Sequence, residues 1–144
     1  MKIGKIISEY HPSKVLIHFG GASARKSGLL ERVENCLKEE NISFVELGGV
    51  VANPELSLVR EGIALGKREG VDFVLAVGGG SVLDSSKAIA NGLANPDVDV
   101  WDFSLGKAAP ARTLPKGAIL TLAAAGSEMS SSCVITLSLI HISE

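Results

Sequence analysis

The segment that most restricts the fold is Phe73-Val74-Leu75-Ala76-Val77, an unbroken apolar run that stops at Gly78-Gly79-Gly80-Ser81. A short apolar run ended by glycines reads as a strand buried on both faces. From about Ser81 to Leu93 the pattern turns helical, and Asn95-Pro96 closes it. A strand with no polar face needs helices above and below it, which is the situation of a parallel sheet. The run therefore predicts an α/β domain.

The rest of the chain repeats this alternation. Val15 to Phe19 is a second apolar run, ended by Gly20-Gly21, and from Arg25 to Glu40 the residues Leu29 or Leu30, Val33, Cys36 and Leu37 recur at helical spacing. Ile42 to Leu47 reads as the next strand, ended by Gly48-Gly49. Asn53-Pro54-Glu55 then opens a helix, Asn as N-cap and Pro in the first turn, with Leu56, Val59 and Ile63 on its inner face. After a loop holding Trp101, Ala118 to Leu122 reads as a fourth strand, and Met1 to Tyr10 as a short helix. Right-handed βαβ crossovers make this a Rossmann-like, doubly wound, mostly parallel sheet with helices on both faces.

Composition narrows the function. The 144 residues suit one domain with a real core, and 46% hydrophobic with only 4% aromatic residues fits aliphatic strands under helices. A net charge of −2 without a basic block argues against nucleic-acid binding, and the lack of a long apolar run or signal-peptide core argues against a membrane role. A cytoplasmic location is expected. Cys36 and Cys133 form neither a CxxC pair nor a disulfide framework, and His11, His18 and His141 lack the spacing of a local metal site.

In an open parallel sheet ligands bind beyond the carboxyl ends of the strands. At Gly78-Gly79-Gly80-Ser81 the missing Cβ atoms would let backbone amides approach a phosphate, with the following helix N-terminus adding donors and a positive dipole end. The segment is neither GxGxxG, since Leu83 stands where the third glycine would be, nor a P-loop, so a plain tight turn stays open as the alternative. Gly20-Gly21-Ala22-Ser23 ends its strand in the same way and would lie beside it in a doubly wound order. The two turns together point to a dinucleotide. Gly20 to Gly28 contains no Asp or Glu but does contain Arg25 and Lys26, which favours NADP(H) over NAD(H) because cations accommodate a 2′-phosphate.

Four segments carry a family resemblance: Phe19 to Gly28 (FGGASARKSG), Glu46 to Pro54 (ELGGVVANP), Ala76 to Lys87 (AVGGGSVLDSSK) and Leu120 to Glu128 (LTLAAAGSE). In this order and spacing the chain resembles the iron-containing alcohol dehydrogenases, and within them the NADP-linked butanol dehydrogenase or broad aldehyde reductase branch. The resemblance implies that Gly78, Gly79, Gly80 and Ser81 hold the pyrophosphate and that Gly20, Gly21 and Ser23 lie by the adenosine ribose. It also implies that Asp84 faces the nicotinamide side and that Thr121 and Ser127 contact the cofactor. Relatives often carry Pro and Thr where this chain has Ala123 and Ala125, which removes one hydroxyl contact.

The resemblance further implies a parent enzyme, a homodimer, that interconverts small-molecule alcohols with aldehydes or ketones. Its Fe2+ (or Zn2+) would be held by an Asp and three His of an all-helical second domain, and none of those ligands matches a residue here. No catalytic or metal-ligating residue is assigned in this chain, which is expected to lack dehydrogenase activity by itself. Residues 1–136 are read as the dinucleotide-binding domain, a fragment without the family's N-terminal hairpin, and 137–144 as an aberrant tail of non-native sequence. Two rival readings are an inactive nucleotide-binding module and a fragment of a polyol-phosphate dehydrogenase or dehydroquinate-synthase-like enzyme. Asp84 and Lys87, three apart on one helix face, read without the family as a solvated ion pair.

Overall fold

The computed structural model describes residues 3–20, 28–49, 56–78, 80–96, 114–121 and 133–136. Along the chain run α1 (Ile3–Ser8), β1 (Val15–Phe19), α2 (Leu29–Glu39), β2 (Phe44–Leu47), α3 (Leu56–Glu69), β3 (Phe73–Gly78), α4 (Gly80–Ala94), β4 (Lys116–Thr121) and β5 (Cys133–Thr136). The strands form one sheet in the order β2-β1-β3-β4-β5, parallel except for β5, which is antiparallel to β4. This is the doubly wound α/β architecture that the apolar runs predict.

Side-chain alternation splits the core into two layers. Val15, Ile17 and Phe19 of β1, Phe73, Leu75 and Val77 of β3, and Ile119 of β4 point to one face, where they meet Ile7 of α1 and Leu29, Leu30, Val33 and Leu37 of α2. Leu16 and Val74 point to the other and meet Val59 of α3 with Ile89 and Ala90 of α4. Beneath the start of α4 the residues are smaller: Ala76, Ala118 and Val82. β1 is buried throughout, as is β3 up to Gly78, whereas the edge strand β2 is half-buried.

The amino ends of the strands are tied by charge. Both oxygens of Asp72 accept the Ser13 amide at 2.9 Å, one also accepts the Lys14 amide at 3.2 Å, and Lys14 Nζ pairs with Glu69 at 3.1 Å.

Two strand starts and one whole strand differ from the sequence reading. β4 starts at Lys116, not Ala118, because the Lys116 backbone already pairs with Val74 in the ladder; β2 starts at Phe44, not Ile42. β5 is an added strand: the polar run before Cys133 gives no strand signal, and the pairing Thr121↔Cys133 supplies the order. The helix cap at Asn53-Pro54 and the tail 137–144 lie outside the described residues.

Candidate functional site

In the order 2-1-3-4, β1 and β3 are neighbours whose connections leave in opposite directions, so their carboxyl ends flank the topological switch point where such sheets bind ligands. Both end in glycine. Gly78 closes β3 with φ 145°, a backbone conformation that side-chain-bearing residues rarely adopt. A Cβ built there would lie 2.9 Å from Val82 Cγ2 and 3.9 Å from the Gly20 amide nitrogen. Gly20 and Gly78, at the ends of β1 and β3, thus lie side by side.

α4 begins at Gly80, within the glycine run, so Gly80 and Ser81 belong to its first turn. The first amides of an α-helix have no partner inside it, and no acidic residue stands in this first turn to oppose the positive dipole end. These features fit a phosphate or pyrophosphate. At the end of β2, the Gly49 amide donates to the Gly20 carbonyl at 3.2 Å. A side chain at Gly48 would collide with the Phe19 ring at 2.5 Å.

The other candidate residues are placed as follows. Thr121 is the last residue of β4, on the same rim of the sheet as Gly78. Asp84 is exposed on the second turn of α4. Asp84 and Lys87 are both exposed, and among the described residues no ion pair joins them. Lys87 instead lies near Lys116, whose ammonium is pushed below the usual lysine range by burial first and by the Lys87 charge second. Gly21, Ser23, Gly79 and Ser127 lie outside the described residues, as do Arg25 and Lys26.

The sequence reading misses one contact at this end of the sheet. His18 is fully buried in β1. Its Nδ1 lies 2.8 Å from the Leu47 carbonyl and its Nε2 2.8 Å from Ser85 Oγ on α4. A carbonyl only accepts, so Nδ1 carries the proton and Nε2 accepts from the Ser85 hydroxyl. Burial pushes the imidazole below the ordinary histidine range, against a smaller upward pull from the Leu47 carbonyl, which favours the neutral ring. The signal was present: a histidine inside an apolar strand must find polar partners. Among the described residues no group of three or more His, Cys, Asp or Glu could hold a metal ion.

Comparison with known proteins agrees with this geometry. The sequence profile of the family described as "Iron-containing alcohol dehydrogenase" matches residues 1–141. NADH-dependent butanol dehydrogenase A of Clostridium acetobutylicum is 45% identical over 134 residues, covering 93% of this chain and 34% of that protein. The NADPH-dependent aldehyde reductase YqhD of Escherichia coli is 38% identical over 128 residues, 88% of this chain and 33% of the reductase. The crystal structure of NADH-dependent butanol dehydrogenase A from Thermotoga maritima superposes with a TM-score of 0.80 at 44% identity, covering 87% of this chain and 31% of that one. The chain therefore spans about a third of the length of these relatives. With its glycine turns converging at the switch point and a profile match over nearly its whole length, the chain belongs to the iron-containing alcohol dehydrogenase family.

Proposed function

We propose that this chain binds the pyrophosphate of a nicotinamide dinucleotide between Gly20 and Gly78–Ser81, as part of an oxidoreductase that interconverts alcohols with aldehydes or ketones. The observation that carries this reading is the approach of Gly78 to Gly20 at the start of α4, which sets two glycine strand ends beside a helix N-terminus. The backbone amides of Gly80 and Ser81 would hold the phosphate and the N-terminal dipole of α4 would offset its charge. The neutral His18–Ser85 contact puts no carboxylate near it. The bound nicotinamide would supply or accept the hydride.

NADP(H) is the favoured form. Arg25 and Lys26 follow the first turn, and Gly20 to Gly28 holds no Asp or Glu that would bind a free 2′-hydroxyl. NAD(H) is the second reading, because the butanol dehydrogenase relatives are named NADH-dependent while the aldehyde reductase is named NADPH-dependent.

Titrating NADPH and NADH into the chain and into Gly79→Val tests both points, with Ser138→Ala as a control outside the turns. The valine variant should bind NADPH at least about tenfold more weakly, since its branched Cβ blocks approach to the amides. Equal affinity would remove the pyrophosphate assignment. A tenfold preference for NADH, about 1.4 kcal/mol, would overturn the NADP(H) reading alone.

A further inference from the structure

Beneath the first turns of α4 the apolar contact consists of Ala76, Ala118 and Val82, with Leu58 and Leu83 at its margin. Small side chains interlock weakly, so such packing fixes the separation of helix and sheet better than it fixes the helix along its axis. A directional bond in that region runs from Ser85 to His18. Ser85 follows Gly80 by less than two turns, so whatever holds Ser85 also sets where the first amides of α4 stand. The same imidazole holds the Leu47 carbonyl, next to the Gly48-Gly49 segment that bonds Gly20.

We propose that His18 is a positioning residue for the cofactor: by bridging β2 and α4 from within β1, it sets the α4 N-terminus and the Gly20 turn at the spacing one phosphate requires. The proposal rests on the reading that these turns receive the cofactor's phosphate. The imidazole does not touch the cofactor; it acts through Ser85 and Leu47. An apolar ring in its place would fill the volume but leave the first turns of α4 without this directional tie to β1 and β2.

The test uses the chain itself with four variants: Ser85→Ala, His18→Asn, the double variant, and His18→Gln. Asn at 18 can still donate to Leu47 but falls short of Ser85, whereas the longer Gln can accept from Ser85. The readouts are NADPH affinity, amide hydrogen exchange at residues 80–84 and the global unfolding midpoint. Ser85→Ala and His18→Asn should each weaken NADPH binding about fivefold, the effect of one lost hydrogen bond. Each should also speed exchange of the first α4 amides ahead of the rest of the helix. The double variant should be no worse than either single variant, and His18→Gln should stay within about twofold of wild type.

Unchanged affinity in a folded Ser85→Ala chain would overturn the proposal. So would losses that add in the double variant, or a uniform fall in stability without a change in affinity. If Gly79→Val binds NADPH as tightly as wild type, the phosphate reading itself fails and the proposal falls with it; that outcome is separate from an unaffected Ser85→Ala.

Discussion

Replacing Gly78 by alanine tests whether the turn between β3 and α4 needs its backbone conformation. At φ 145° an L-residue is strained, and holding one there costs about 1–3 kcal/mol. The added methyl also lies 2.9 Å from Val82 Cγ2. Val82 is β-branched and sits in the first turn of α4, so rotating away costs it its preferred rotamer; overpacking adds about 1 kcal/mol. The expected loss is about 2–4 kcal/mol in equilibrium urea unfolding, with an unchanged m-value. Val82→Ala added to Gly78→Ala should return about 1 kcal/mol of the steric part and leave the strain. In NADPH titration both variants should bind more weakly than wild type, because relaxation of the turn moves Gly78 away from Gly20. A Gly78→Ala chain with wild-type stability and affinity would refute the argument, since neither the left-handed backbone nor the close approach would then be required.

Two further outcomes follow from the charged and titratable groups. Asp72→Ala removes the acceptor for the Ser13 and Lys14 amides and should cost about 1.5 kcal/mol by urea unfolding while leaving NADPH affinity unchanged, because the clamp lies at the amino ends of the strands. His18 favours the neutral form when folded, so its contribution is fully present above the unfolded value of about 6.5 and is lost as pH falls through the lower folded value. Wild-type stability should therefore drop below pH 6.5 relative to His18→Gln, with a slope of at most about 1.4 kcal/mol per pH unit. Parallel pH profiles for the two chains would show that His18 is not the group responsible.

The parts of the fold that could be read from sequence are those in which one physical signal acts alone. β1 and β3 are buried on both faces, so their sequences are uninterrupted apolar runs; α2 has one buried face, so Leu29, Val33, Cys36 and Leu37 recur at its period. Lys116 was harder to place, because a charged residue reads as the end of a loop although its backbone occupies the ladder and its side chain is buried. β5 could not be read because it is four residues long and takes its order from β4, not from its own pattern. The glycine turns were legible since glycine has few other reasons to cluster after a buried strand. The His18 bridge was not, because its partners lie 29 and 67 positions away and only the fold brings them together.

The two ends of the sheet are held by different forces, and this bears on what each can bind. At the amino ends, charges do the holding: Asp72 takes amides from the β1 approach and Lys14 pairs with Glu69. At the carboxyl ends of β1, β2 and β3 neutral ties include Gly49 to Gly20, His18 to Leu47 and His18 to Ser85. A carboxylate used as a brace at that rim would repel a phosphate and compete for the α4 amides; an imidazole kept neutral by burial braces the same elements without doing either. A stabilising carboxylate placed at the rim should therefore weaken nucleotide binding, whereas the same carboxylate at the opposite end should alter stability alone.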